Sequence, residues 1–487
     1  MKLLKDLFRP ATDHLLAGWL FLKGLALVYA VAFASLAVQI EGLAGPDGVL
    51  PFRRVLDGAF SQYGYGAVLR LPTLFWLNSS GVALQGAAVT GALVALLLLL
   101  GLIRQRPALI VLFVLYLSLL HAGQIFMTFQ WDYLLLESGF IAIFLGEVPI
   151  RLVVLLYDWL LFRLRFLSGW FKLASGDPSW RDFTALDYYF ETQPLPHVGS
   201  WYAHQLPHWL LKAGVGFTLV AELVVPFFIF LPRPFRIIAA FTTILAQLLI
   251  MATSNHNFIN LLTILLCLFV LDDRIIEWVL PGPLRDRITR RAREGGPGVG
   301  ANLATAIAAA LLLALSCTLM VAGQVRRPLP RALVAFDELA PAFGIGNLFH
   351  LFPTMQTERQ ELRIFGSYDG QTWEPYEFRY KPDALDKAPE FIVPHQPRLD
   401  WMMWFLPPQW PDTAYWFGPF LEGLHQNRRS VTLLLGRNPF EDRSPPRLLR
   451  VLAYRYRFTT PVERARTGNW WKAEYLGEFP DVPPRRP

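Results

Sequence analysis

Hydrophobic and polar positions alternate along this chain in long blocks rather than in short periods. Leu15–Ile40 is apolar except for Lys23, Val82–Ile103 holds no charge, and Ala108–Thr128 follows directly after Arg104 and Arg106. Runs of this length match the span of about 20 helical residues that a bilayer core requires. Further apolar stretches cover Tyr133–Val148, Trp209–Leu231, Ile237–Thr253, Phe258–Leu271 and Ala301–Gly323. Leu152–Phe171 is ambiguous, because Asp158, Arg163 and Arg165 interrupt it. It either crosses or lies in the interface as an amphipathic helix. The basic turn at Arg233–Arg236 and the Arg-rich loop 272–300 belong on the cytoplasmic side by the positive-inside rule. That parity requires 152–171 to cross. The pattern predicts an α-helical polytopic membrane bundle of about nine spans, with the N-terminus cytoplasmic. The first run is longer than a signal-peptide core and lacks a small-residue cleavage site, so it is expected to stay as a span.

After Gly323 the pattern changes, and residues 331–487 contain no apolar run long enough to cross. Glu361–Ser367, Tyr368–Gln371 and Trp373–Tyr380 spell strand, turn and strand, with Tyr376, Phe378 and Tyr380 on one face. Ser430–Leu435 and Leu452–Phe458 are further strand candidates, the latter alternating aromatic residues with Arg455 and Arg457. The expected division is a bundle over 1–325, with outer loops 41–81 and 172–208, and a β-rich, sandwich-like extracytoplasmic domain over 331–487.

Composition agrees with a membrane class. The 487 residues are 54% hydrophobic with a mean hydropathy of +0.35. The net charge is +7, yet from Arg331 onward 20 Lys/Arg face 19 Asp/Glu, so +6 of it lies in the membrane half. Basic cytoplasmic loops account for that, and no nucleic-acid partner is needed. Cys267 and Cys317 are the only cysteines, each within an apolar run. That excludes a disulfide-stapled outer domain and any CxxC redox motif.

Candidate chemistry centres on Phe129–Gly139, where Asp132 and Glu137 sit in nearly continuous hydrocarbon. An ionised carboxylate at mid-bilayer costs about 2.5–3.5 kcal/mol, so partners are expected among His121, Arg163, Arg165 and Lys172. With Gln124 and Glu222, these form the intramembrane polar candidates. Glu222 looks to Lys212 or to a neighbouring helix. Structural pinning and direct chemistry or client contact both remain open for them. The aromatic, Pro-containing loop 172–208 offers Asp177, Trp180, Arg181, Glu191 and His204, as a lid, a docking ledge or a plain interfacial anchor. His204 and His208 stand four apart, which would place them on one helix face. Pro207 interrupts that helix and no His-Glu-x-x-His pattern completes it, so no metal site is expected. The cluster Phe391–Phe405, with His395, Arg398, Asp400, Trp401, Trp404 and Phe405, is too aromatic for a solvated loop. It is core, a seat on the membrane, or a client-contact surface. No nucleophile elbow, phosphate loop or dinucleotide glycine motif occurs, so no catalytic residue and no cofactor is assigned.

Several strings carry a family resemblance: FQWDYLLLESG at 129–139, SGDPSWRDFTAL at 175–186, YFETQPLP at 189–196, WYAH at 201–204, the run 258–273, PYEFRYKP at 375–382 and PHQPRLDWMMW at 394–404. In these the chain resembles the lipase maturation factor family, over nearly its whole length to Gly468-Asn469-Trp470-Trp471. The resemblance implies a multi-pass protein of the endoplasmic reticulum membrane that assists folding and assembly of secreted lipases, with its C-terminal domain on the luminal side. It brings no catalytic residues. Any role through thiol exchange is hard to transfer, since the outer domain has no cysteine. An Arg- and Ala-rich composition suits a bacterial member, in an inner or plasma membrane, whose client is a similar exported protein. The rival expectation is a membrane enzyme on a lipid or polyprenyl substrate, using Asp132, Glu137, His121 and Arg163 within the bundle.

Overall fold

A computed structural model describes residues 6–295, 302–325 and 342–480. Residues 296–301 and 326–341, which take in the end of the basic loop, the first residue of the last expected span and the start of the expected outer domain, lie outside these. The helical part contains α1 (Leu15–Ala37), α2 (Gly81–Leu100), α3 (Gln105–Gly123), α4 (Gln130–Ala142), α5 (Arg151–Ala174), α6 (His208–Leu223), α7 (Arg233–Thr253), α8 (Ile259–Val270) and α9 (Asn302–Val325).

Among the described residues, five helices are long and apolar enough to cross a membrane: α1, α2, α3 continued to Met127, α6 continued to Phe230, and α7. Their ends carry clear stop signals. Ser80 caps α2 by accepting the Ala83 N–H at 3.2 Å. Gly101, at φ 75°, closes it in the left-handed conformation that favours glycine. Lys23, the one charge in the first span, donates to the Leu98 and Leu99 carbonyls at that same helix end. α4 and α8 have 13 and 12 residues, about 20 Å or less of helix. That is shorter than a hydrocarbon core, and most residues of both are buried. α5 is also an interior helix: 16 of its 24 residues are buried, charges included. It does not lie along a surface.

Chain ends and loops sort to two ends of the bundle. At one, Pro10 bridges to Ile150, and Asp273 caps α1 by accepting from the Leu15, Leu16 and Ala17 N–H groups at 2.7–3.1 Å. Asp272 pairs there with Arg233. At the other end lie loops 41–81 and 172–208 and the C-terminal part of the chain. The last contains β1 (Arg359–Ser367), β2 (Glu374–Tyr376), α10 (Arg398–Met403), α11 (Ala414–His425), β3 (Leu448–Phe458) and β4 (Trp471–Glu478).

The four strands form one antiparallel sheet in the order β2-β1-β3-β4. Leu362, Ile364 and Tyr376 pack against Trp416, Phe417 and Phe420 of α11. The second sheet that a sandwich needs is not present among the described residues; helix covers the apolar face instead. Ser430–Leu435, expected as a strand, begins in a one-turn helix at Arg429–Thr432. Short apolar runs carry no period that separates the two outcomes. The same core takes in Leu43, Val49 and Phe126 from the bundle side, so apolar packing runs on from helices to head.

Candidate functional site: the seam between bundle and head

Phe129 ends an extended step, and α4 then turns Asp132 and Glu137 inward, both with no exposed surface. Each meets an arginine. Arg398 of α10 grips Asp132 with two parallel bonds, Nη1 to Oδ2 at 2.6 Å and Nη2 to Oδ1 at 2.7 Å. The Tyr116 hydroxyl donates to Oδ1 at 2.6 Å, and Arg398 Nη1 also reaches the Phe126 carbonyl at 3.1 Å. Two parallel N–H···O⁻ bonds fix both distance and plane, which a lysine cannot do. Glu137 pairs with Arg163 of α5, one of the partners expected for it. Its second oxygen accepts the Gly346 N–H at 3.0 Å, and Arg163 donates to the Asn347 carbonyl at 3.0 Å.

A third pair follows the same plan. Glu222, on α6, accepts from Lys172 at 2.8 Å and lies 3.5 Å from Arg165. Both come from α5, so the partner is the neighbouring helix rather than Lys212. Lys172 also donates to the Leu351 carbonyl at 3.0 Å and lies over the Trp180 ring at 5.1 Å. His121 bonds the Ala342 carbonyl at 2.8 Å, and Asp177 accepts from the Met355 N–H at 2.6 Å. Gln124 donates to the Leu50 carbonyl at 2.9 Å. Five of these residues, His121, Glu137, Arg163, Lys172 and Asp177, hold the single segment 342–355 to the bundle.

A second segment, 390–405, crosses the same end. Asn255 receives the Ile392 N–H at 3.0 Å and donates to the Glu390 carbonyl at 2.8 Å. Ser35 and Gln39, at the end of α1, hold His395, Gln396 and Arg398 through bonds of 2.8–3.0 Å. Burial and the nearby Arg398 charge lower the His395 pKa. Asp400 accepts from the Tyr380 and Lys381 N–H groups at 2.8 and 3.0 Å. Its burial raises its pKa against those bonds. Trp401 is 3% exposed and meets the Trp131 ring edge-on at 5.0 Å. Trp404 donates to the Thr192 carbonyl at 2.6 Å, and Phe405 stacks near Phe129. In this conformation Arg398, Asp400 and Trp401 present no surface to another molecule, and Trp404 and Phe405 are half-buried. The physical reason is that rings this large are consumed in closing the seam.

Loop 172–208 folds into short helices, Pro178–Arg181, Ala185–Thr192 and Val198–His204, and serves as a ledge. Arg359 of β1 is buried and donates to the Glu191, Gln193 and Pro194 carbonyls. Glu361 and Lys381 complete its charge balance. Glu191 accepts the Phe458 N–H at 2.6 Å and lies 3.7 Å from His204. Trp180 is buried, whereas Arg181 is exposed. His204 and His208 do not share a helix face: Pro207 separates two helices, and His208 instead pairs with Asp187 at 2.9 Å. A recess lined by Tyr189, Gln193, Phe352 and Trp404 holds about 10 Å³, room for about one water.

Sequence reasoning missed several members of the seam. Tyr116, Ser35 and Gln39 sit in apolar runs with nothing to mark them, and Arg359 resembles any solvated strand residue. Only Asn255 carried a signal, an amide beside other amides at a span edge.

The geometry defines a class: a polytopic helical membrane protein with a sheet-bearing head locked to one end by buried ion pairs. Comparison with known proteins makes that specific. Residues 16–278 match the lipase maturation factor transmembrane domain, and 345–481 match the lipase maturation factor C-terminal domain. Lipase maturation factor 2 of Gallus gallus is 33% identical, over 94% of this chain and 80% of that protein. The Homo sapiens protein of the same name is 32% identical over 94% and 81%. Lipase maturation factor 1 of Bos taurus is 32% identical over 97% and 90%. The chain belongs to the lipase maturation factor family. No solved structure matches it significantly.

Proposed function

We propose that this protein is a membrane-embedded maturation factor for secreted lipases or similar exported proteins, and that it acts as a chaperone-like platform rather than as an enzyme. The carrying observation is that three buried acids, Asp132, Glu137 and Glu222, are engaged by cations that fasten segments 342–355 and 390–405. A substrate would have to displace those contacts. Residues 1–325 form the bundle and 331–487 the head. The positive-inside pattern supports nine crossings with a cytoplasmic N-terminus, the shorter helices α4 and α8 counted among them. On that reading the head and loop 172–208 are extracytoplasmic. The names of the animal relatives point to a lipase client, and by likeness to the family the membrane is that of the endoplasmic reticulum. In a bacterial host it is the inner or plasma membrane.

The test is co-expression of a secreted lipase with the wild-type protein, with Arg398→Ala, or with neither. Active secreted lipase should rise with wild type and fall to background with Arg398→Ala. Equal yields of active lipase with and without the wild-type protein would end this reading. Asp132→Asn with Arg398→Met separates structure from chemistry: restored lipase yield is expected if the pair only fastens the head.

A further inference from the structure

The two edges of the head sheet are not alike. β2 spans three residues, and just beyond it Glu377 exchanges backbone bonds with Gly436 and Arg437 at 2.8–3.1 Å. That edge is blunted in the way native sheets avoid unwanted pairing. β4, at the other edge, spans eight residues. Its outward backbone bonding stops at Trp471, whose N–H goes to the Leu385 carbonyl at 3.1 Å. In an antiparallel strand every second residue turns its N–H and C=O to the same edge. Ala473 and Tyr475 therefore face outward, and among the described residues no backbone bond from another element reaches them. Both are exposed, Tyr475 at 56%.

The side chains say what fits there. Trp471, Ala473 and Tyr475 share the face on which Tyr454 meets Tyr475 at 5.6 Å and Phe458 stacks on Trp471 at 4.3 Å. This aromatic row ends abruptly at the sheet edge, and Ala473 leaves a gap in it. The opposite face carries Lys472, bonded to Glu463, and Glu474, bonded to Arg455. Open N–H and C=O groups at this spacing match those of another extended backbone. We propose that the β4 edge captures an extended segment of an incompletely folded client by strand addition. The segment carries large apolar or aromatic residues beside Ala473 and Tyr475, alternating with charged or polar ones beside Lys472 and Glu474. This rests on the maturation-factor reading and gives it a contact surface.

The test uses the full-length protein in detergent and a fluorescent peptide alternating Val or Tyr with Lys or Glu. The control peptide has the same residues in scrambled order, with a proline replacing the central one. Wild type should bind the alternating peptide, and Ala473→Pro should bind it about tenfold more weakly or worse, since it removes one outward donor and blocks approach. Ala473→Ser, which keeps the N–H, should bind as wild type does. Hydrogen exchange on unmodified protein supplies a readout that needs no variant: the Ala473 and Tyr475 amides should exchange fast alone and slow with peptide. Equal affinity for both peptides, or unchanged exchange at these two amides, overturns the proposal. So does a wild-type dimer abolished by Ala473→Pro, which would assign the edge to a second copy. Peptide capture without any effect on lipase yield would defeat the maturation reading while leaving the edge intact.

Discussion

The two ends of the bundle handle charge in different ways. At the end holding the N-terminus of α1, Asp273 is satisfied by three N–H groups of α1, Asp272 by Arg233, and Arg236 by the Phe269 carbonyl. All of these belong to the helices themselves. At the opposite end Asp132 turns to Arg398, Lys172 to Leu351, and Glu137 to Gly346. Helices settle the charges at one end by themselves; at the other, segments 342–405 supply partners as well. The head is therefore part of the bundle's own charge balance rather than a separate module on a tether.

The largest expected effect breaks that balance. Arg398→Ala leaves the Asp132 carboxylate buried without its cation, and removing one partner of such a pair costs about 3–5 kcal/mol. Thermal unfolding in detergent should show that loss. A proteolysis assay should show the head released. The double substitution Asp132→Leu with Arg398→Met should recover most of the stability, because an apolar pair of similar volume is often neutral.

Next comes a packing test on the same helix. A Cβ at Gly139 would sit 1.9 Å from the Tyr29 hydroxyl, which itself donates to the Leu135 carbonyl at 3.2 Å. Gly139→Ala should cost about 1–3 kcal/mol, and Tyr29→Phe should relieve part of it. The head should stay docked, which separates internal packing from docking.

The third prediction concerns acid. His256, in the loop between α7 and α8, is buried beside Tyr189, with Ser254 sharing the same hydroxyl. Burial first, then the Lys172 and His197 charges, push its pKa down to about 3. The neutral ring is thus the folded form. Between about 3 and 6.5 the unfolded chain binds a proton that the folded chain refuses. Stability is complete above about pH 6.5 and falls as pH drops, by about 2 kcal/mol at pH 5. Melting temperature measured from pH 7.5 to 5 should decline, and His256→Asn should flatten that decline.

The smallest effect sharpens the contrast from the other side. Asp273→Ala removes a helix cap, worth about 0.5–2 kcal/mol, and should leave protease protection of the head unchanged. Release of the head by this substitution would show that the two ends are not independent.

Much of this was legible in the sequence, and the gaps have definite causes. The apolar blocks marked the long helices, and the expense of a carboxylate in hydrocarbon made a partner for Asp132 and Glu137 necessary. Arg163 was within reach because it is 26 residues from Glu137. Arg398 is 266 residues from Asp132, and no local period reports such a pairing. The aromatic run around Trp401 announced burial without saying against what. Two alternating segments marked the sheet, whereas Ser430–Leu435, expected as a further strand, begins in one turn of helix because so short a run fits a helical turn equally well.

The Asp132–Arg398 link also sets an order of events during synthesis. Ribosomes deliver α4 to the membrane long before residue 398 leaves the exit tunnel, so the newborn bundle carries this carboxylate without its cation until most of the protein has been translated. Closure is thereby postponed to a late step, and a chain cut short before α10 is left with an open, charged end that cellular quality control can recognise.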